Sequence, residues 1–565
     1  MSDKYARDRV QGFLHTDGRR IVNGNGETVI LRGWGLGNWL NPEGFMIGGM
    51  PLMDPRMDPR MFALPRRFDR GRMMIPTVRE LCGTAYAKEF EHRWIHEYVT
   101  EEDIKLMAEL GNNSVRVPFS ARLLLDEEPG IRFNEDTFRM LDQLLDWCEK
   151  YRVYAILDMH GAPGGQSGLA CDDGIDNRTH TYEEPESRLR TVLLWEHIAE
   201  RYKDRWIVGG YDFLNEPISG PDMEERIGEV QALYDDIIAG IRKYDRNHML
   251  TIEGEVFSGG TRMFEHDFDP ECNNWCIHTH FYGFSPERKD LYRYLDASLR
   301  HNVPVWIGEG GSDLTGNAIY YDIASEFDIG FSVWVWKSAM DEDGRGAGLV
   351  QYPLPKNWAQ VKAFIAEGGP RPSYEESKKI FDEMLENMKP EHRVVDEERN
   401  RYLLRKGAFT LPAVGFDDPE ETHHSNGWIY GNAFGYRPES GMKMVLRPGA
   451  LPPAFHSFMG GPRRPDPTES WRSLCLELRT GEFAQYSIRH ADAGQMVEIE
   501  ARRVGAEPAE LLVCYGSAKE KLTIDSDETR VYALPVTLAE GGNAVRLKAC
   551  TGTVQLDTIT FKKAS

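Results

Sequence analysis

Tyr211-Asp212-Phe213-Leu214-Asn215-Glu216-Pro217 closes an apolar run that begins at Trp206-Ile207-Val208, and its reading decides how the 565-residue chain folds. A strand that apolar is buried, so an amide and a carboxylate at its carboxyl end need a partner or a purpose. Pro217 cannot donate to a sheet ladder, so the strand stops there and the chain turns into a loop. In a parallel α/β architecture, loops at that end of the strands build the working site. Taken alone, Glu216 is better explained as the cap of a following helix; its neighbours in sequence decide.

Outward from this stretch the chain has a rhythm. The pattern predicts strands over 29–35, 114–118, 153–159, 206–216, 248–252, 274–282, 303–308 and 330–336. Between most of them lie amphipathic runs over 101–110, 141–151, 190–202, 225–244, 290–300, 319–327 and 357–367, the first opened by the capping pattern Thr100-Glu101-Glu102-Asp103. Eight strands alternating with helices predict a (β/α)8 TIM barrel over 1–367. A doubly wound sheet is the alternative, but no glycine-rich dinucleotide loop follows the first strand. Asp17-Gly18 and Asn25-Gly26 mark hairpins ahead of the barrel. Residues 41–98 form an insertion whose prolines, including the tandem Met53-Asp54-Pro55-Arg56 and Met57-Asp58-Pro59-Arg60, forbid regular helix; loops of this length serve as lids or walls. Residues 368–405 read as a charged helical connector. Residues 406–565 carry short strands over 482–488, 496–501, 510–515, 544–549 and 554–561 between Gly, Asp and Pro turns, an all-β sandwich.

Composition narrows the function. A formal charge of −23 opposes binding of nucleic acid, which needs clustered Lys and Arg. No stretch approaches the roughly 20 apolar residues of a membrane helix. The segment Met1 to Val10 has no apolar core of a signal peptide, so the chain is expected in the cytoplasm, or secreted if a leader is missing. Eight cysteines without framework spacing are expected as reduced thiols. Nothing in the sequence bears on oligomeric state.

A second carboxylate matches the first. Val305-Trp306-Ile307-Gly308-Glu309 is an apolar strand ending in an acid; it is strand seven where Glu216 ends strand four, so both acids face one barrel mouth. Cleavage of a glycosidic bond needs two such carboxyls across one bond, about 5 Å apart for retention and wider for inversion. Arg116, His160, His280, Tyr282 and Trp334 stand at other strand ends. Each alone has a plainer explanation, as an ion pair, a satisfied core histidine or packing; together, at carboxyl ends, they form a site.

Ser114-Val115-Arg116-Val117-Pro118, Asp158-Met159-His160-Gly161-Ala162-Pro163-Gly164, Asn215-Glu216-Pro217, His280-Phe281-Tyr282, Gly308-Glu309 and Trp334-Val335-Trp336-Lys337 resemble, in order, the strand-end motifs of glycoside hydrolase family 5. The run around His160 and Leu31-Arg32-Gly33-Trp34-Gly35-Leu36-Gly37 are most similar to its exo-β-1,3-glucanase branch. The resemblance implies a retaining β-glycosidase with Glu309 as nucleophile and Glu216 as acid/base. It further implies that Arg116 keeps Glu309 ionised, Asn215 binds the sugar 2-hydroxyl, His280 and Tyr282 position the acids, His160 bonds the sugar and Trp334 forms its stacking floor. His280 is preferred to His278 for its Tyr two positions on, and Trp334 to Trp336 for the Lys337 that follows. An exo-acting enzyme is expected, with the 41–98 insertion walling off one end of the cleft. An endo-β-glucanase or β-mannanase of the same family is the alternative, and a non-catalytic sugar-binding protein is the alternative of another class. The substrate is then a β-linked oligosaccharide or glycoside.

Cys272, Cys276, His278 and His280 have zinc-ligand types, but no finger spacing joins them, and no metal or cofactor is expected. Gly161 to Gly168 lacks the Gly-Lys-Ser/Thr of a phosphate cradle. The stretches 481–488, 493–499, 541–547 and 556–561 resemble carbohydrate-binding modules of families 6 and 35, in which Asp557 would stand at a structural calcium position without a partner acid.

Overall fold

The computed structural model describes residues 7–49, 68–219, 223–282, 286–313, 316–340, 344, 346–417, 437, 440–450, 455–456, 464–465 and 473–563. Contacts divide the chain into two units: Met1–Phe281 with Arg293–Gly310 and Ile329–Asp396, and Tyr282–Tyr292 with Gly311–Asp328 and Glu397–Ser565.

The first unit holds a closed barrel of eight strands in chain order. They are β1 (Arg32–Gly35), β2 (Ser114–Ser120), β3 (Tyr154–Gly161), β4 (Val208–Asp212), β5 (Leu250–Glu253), β6 (Trp275–Phe281), β7 (Val305–Gly310) and β8 (Gly330–Val333). Every neighbouring pair is parallel, and β8 closes on β1 with Phe331 opposite Arg32. All residues of β2 and β3 are buried, as strands covered on both faces require. Strand β4 stops at Asp212 instead of running to Glu216. Asn215-Glu216 therefore lies in the turn beyond the strand, with Glu216 at φ 44°.

The insertion departs from expectation. It contains a long helix, α1 (Gly71–Glu97), despite Pro76, and α1 is two helices merged across Gly83 at φ 82°. The chain kinks at Gly83, and Pro76 is accommodated within the first of the two helices, contrary to the expectation drawn from the prolines. The tandem at 53–60 lies outside the described residues. The next helix, α2 (Glu101–Glu109), starts at Thr100 with a capping box closed by Asp103. Asp103 does more than cap: it also accepts from the Trp336 indole at 3.0 Å, Lys337 Nζ at 2.9 Å and Arg393 at 2.6 Å, tying α2 to the segment after β8.

In the expected connector, a helix over Tyr374–Asn387 is followed by Val394–Val395, which pairs with Val350–Tyr352. The second unit contains a β-sandwich of antiparallel sheets. One is ordered Lys443–Leu446, Leu474–Arg479, Thr553–Phe561, Met496–Val504, Arg530–Thr537, with Phe409–Pro412 also on Thr553–Phe561. The other is ordered Phe483–Ala491, Gly541–Thr551, Ala509–Tyr515, Ala518–Ile524. Val497, Ile499, Val513, Leu547, Leu556 and Ile559 are buried, the inward half of alternating strands.

Candidate active site

Arg116 on β2 is the hub of the barrel mouth, fully buried. Its Nε donates to Asp212 Oδ2 at 2.9 Å, Nη1 to Glu309 Oε2 at 2.6 Å, and Nη2 to Glu253 Oε1 and Asn215 Oδ1, both at 2.9 Å. Asp158 Oδ2 lies 3.2 Å from Nη2. A guanidinium has only donors. It therefore fixes the orientation of the Asn215 amide: the oxygen must face Arg116, and the NH2 is left to donate elsewhere. Burial works against the charge on Arg116, and the surrounding carboxylates reverse this and hold its pKa well above the ordinary value.

Glu216 and Glu309 approach each other above this hub. One carboxylate oxygen of each, with a ring nitrogen of His280, lie within 4.8 Å of one another. His280 Nδ1 is 3.0 Å from Glu216 Oε1 and 3.7 Å from Glu309 Oε1. Burial opposes a charged His280, but Glu309 and Glu253 beside it win and raise its pKa well above the usual imidazole range. The imidazolium then donates to Glu216. Glu216 itself is raised: burial pushes it up most, the bonded His280 pulls it down, and the Glu309 and Glu253 charges push it up again. That setting favours the protonated form of Glu216, while Glu309 accepts a hydrogen bond from the permanent cation of Arg116.

His278 is the deeper histidine. Its Nδ1 is 3.1 Å from Asp212 Oδ1 and 3.5 Å from Glu253 Oε1. A Cβ on Gly308 would fall 1.8 Å from its Nε2, so the glycine before Glu309 is there to admit this ring. The structure thus places His280, not His278, against the two acids. It likewise separates the tryptophans: Trp336 is buried with its N–H on Asp103, whereas Trp334 lies parallel to His160, ring centroids 5.2 Å apart and planes 1° apart. His160 Nδ1 is 2.8 Å from Asp158 Oδ2; burial disfavours its charge, and Asp158 overcomes that and pushes its pKa up to about 9. Gln166 donates to the His160 and Asn215 carbonyls, both at 2.8 Å, joining the loops after β3 and β4. Tyr282 directly follows β6 and is 46% exposed.

Sequence reasoning missed Glu43, Asp158, Asp212 and Glu253 as site residues. Glu43, in the loop after β1, is 3.9 Å from His160 Nε2, and burial pushes its pKa up to about 8, with Glu309, Glu216 and Asp158 adding to the rise against His160. Glu253 ends β5 as Glu309 nearly ends β7, so the signal that found Glu309 was available for it. Burial opposes its ionisation, yet His278, His280 and Arg116 hold it well below the carboxylate range. Asp158 is two residues before His160 and so shares its strand face. The zinc alternative fares differently: Glu253, His278 and His280 gather within 4.8 Å, but neither Cys272 nor Cys276 is in the group, and Glu253 is already bonded by Arg116. Among the sandwich residues, Asp557 Oδ2 is 3.3 Å from Arg447 Nε, a cation already at the position suggested for calcium.

Residues 81–340 match the family model for cellulase, glycosyl hydrolase family 5. A β-xylosidase of Phanerodontia chrysosporium is 31% identical over 259 residues, 46% of this chain and 49% of that protein. Endoglucanase C of Acetivibrio thermocellus is 31% identical over 170 residues, 30% of this chain and 46% of that protein. The chain thus spans about half the length of these two relatives. The probable glucan 1,3-β-glucosidase A of Emericella nidulans is 30% identical over 332 residues, 54% of this chain and 77% of that protein.

Proposed function

Because the chain belongs to glycosyl hydrolase family 5, we propose that it hydrolyses β-glycosides with retention, by double displacement. The observation that carries this reading is that one oxygen of Glu216 and one of Glu309 lie within 4.8 Å of each other, a closeness that favours the narrower of the two carboxyl spacings. Retaining enzymes hold the two carboxyls about 5–5.5 Å apart, whereas inverting ones leave roughly 6.5–9.5 Å for a water. Glu309, with Oε2 anchored on Arg116, attacks the anomeric carbon through its other oxygen. Glu216 gives its proton to the departing glycosidic oxygen, then takes one from the water that releases the sugar from Glu309. The Asn215 NH2, aimed away from Arg116, bonds the sugar 2-hydroxyl, and Trp334 with His160 supports the ring. Expected outcome: Glu309→Gln lowers kcat on aryl β-glycosides by on the order of 10⁴-fold or more with an unchanged circular dichroism spectrum. Near-normal turnover sinks the assignment. Azide added to Glu216→Ala on an activated substrate yields the β-glycosyl azide; an inverted product contradicts Glu216 as acid/base.

An exo-acting enzyme on β-glucosides or related β-glycosides is the reading we favour, motivated by the loop after β1, which brings Glu43 to within 3.9 Å of His160 beside the acids. Digestion of end-labelled oligosaccharides checks this: single sugars from the non-reducing end support it, and internal fragments favour the endo-acting alternative that the endoglucanase relative suggests. The sandwich is proposed as a carbohydrate-binding module on its sheet architecture alone, tested by retardation in polysaccharide-containing gels. The eight unpaired cysteines suit the cytoplasmic setting proposed with it.

A further inference from the structure

After β5 the chain makes an unusual turn. Val256, Phe257 and Ser258 stand at φ 57°, 52° and 56°, three consecutive non-glycine residues in the left-handed region, the first of them β-branched. Each such residue is disfavoured by contact of its Cβ with the backbone, and a β-branched one more so, so a surrounding structure must hold them there. That structure is visible. Val256 N–H donates to the Ile218 carbonyl at 3.0 Å, and Gly260 N–H to the Glu255 carbonyl at 2.7 Å.

What the turn delivers is Ser258, fully buried. Its hydroxyl donates to Glu253 Oε2, and its carbonyl accepts the His280 backbone N–H at 3.2 Å. Those two partners are the groups that hold Glu216: Glu253 Oε2 accepts the Glu216 backbone N–H at 2.7 Å, and His280 Nδ1 meets Glu216 Oε1 at 3.0 Å. The bonds close a ring, Ser258 to Glu253 to Glu216 to His280 and back to Ser258. Glu216 is itself at φ 44°, a conformation that its backbone N–H bond helps to maintain. Neither Ser258 nor Glu253 is open to a substrate, both being buried.

We propose that Ser258 is a positioning residue for the proton-donating carboxyl, and that the left-handed turn exists to bring its hydroxyl and carbonyl to the two residues that fix Glu216. Resting on the acid/base reading of Glu216, this makes a specific demand. Without the hydroxyl, Glu253 Oε2 loses one of its donors and is free to swing toward His280 Nε2, 3.5 Å away. The Glu216 main chain then loses a fixed acceptor and the carboxyl drifts from the leaving oxygen. Misplacement on the order of 1 Å costs about 10²-fold in such steps.

The test compares leaving groups. In kcat/KM, which reports the glycosylation step, an alkyl β-glycoside needs the proton and a 2,4-dinitrophenyl β-glycoside does not. Ser258→Ala is expected to lose about 10- to 100-fold on the alkyl substrate and under about threefold on the dinitrophenyl one. Ser258→Gly, which accepts positive φ freely and so preserves the turn, is expected to show the same split and keeps the test open if the alanine variant folds poorly. An equal loss on both substrates, or a glycine variant with wild-type behaviour, overturns the role. A wild-type enzyme inactive on every aryl β-glycoside overturns the glycosidase reading and this inference with it.

Discussion

At the scale of single residues, the site is an accommodation between burial and charge. Arg116 faces Asp158, Asp212, Glu253 and Glu309, each within 3.2 Å. Replacing it strands buried carboxylates, so Arg116→Met is expected to cost about 3–5 kcal/mol in chemical denaturation as well as turnover. Glu43 is the counter-case, a carboxyl raised to about 8 chiefly by burial. A raised folded pKa means that the native state binds the proton more tightly than the unfolded chain. The stability from neutral Glu43 is therefore fully present below the unfolded value near 4.5 and is lost as pH rises through about 8. Glu43→Gln mimics the neutral form, so its melting temperature relative to wild type is expected to climb between pH 5 and pH 9; a constant difference would contradict the shift. Glu309 was legible at this scale because it ends an apolar strand. Glu253 carried the same strand-end signal and was passed over, whereas Asp212 and Asp158 were not singled out because a buried acid inside a strand announces itself only when its cation is known, and Arg116 comes from a strand some 40 to 100 residues away in sequence.

At the scale of elements, the eight strands were legible because parallel strands buried on both faces are continuous apolar runs. The long helix α1 was hidden by Pro76 and Gly83, whose local preferences were outweighed by the burial of Met74, Val78, Leu81, Phe90 and Trp94. The end of β4 was misplaced by four residues, since Phe213 and Leu214 are as buried outside the strand as in it. The anchoring of the segment after β8 was also invisible. Lys337 is buried, and burial brings its pKa down to about 8 against the pull of Asp103. Asp103 is a carboxylate shared by Lys337, Arg393 and the Trp336 indole. Asp103→Asn should then leave buried cations underpaired and cost about 3–5 kcal/mol in urea or guanidinium melts. Because Trp334 is three residues from Lys337, KM for aryl glycosides is expected to rise as well; a variant with wild-type stability and KM would refute the anchor.

At the scale of the whole molecule, a division drawn along the sequence and one drawn by contacts disagree in an informative way. Sequence composition changes near residues 367 and 405, whereas contacts change at Asp396 to Glu397 and also assign Tyr282–Tyr292 and Gly311–Asp328 to the later unit. A reading that moves along the chain cannot detect this, because those two stretches look like ordinary barrel loop and helix. Within the second unit, all nine residues of the helix Asn317–Ser325 are buried. Asp322 there receives Arg489 Nε at 3.0 Å, and the Ser312 carbonyl receives the Tyr402 hydroxyl at 2.5 Å. Asp322 also lies beside Asp417, whose carboxyl is pushed up to about 6 by burial first and by Asp322 second. A chain cut after Asp396 keeps every residue of the acid cluster but strips Gly311–Asp328 of these partners and exposes a buried helix. The fragment 1–396 is therefore expected to be insoluble, or to melt well below the full chain, despite its complete set of barrel strands. Expression followed by circular dichroism and thermal melts checks this. A soluble fragment with a cooperative melt near that of the full chain would mean that the helix Asn317–Ser325 is held without residues 397–565.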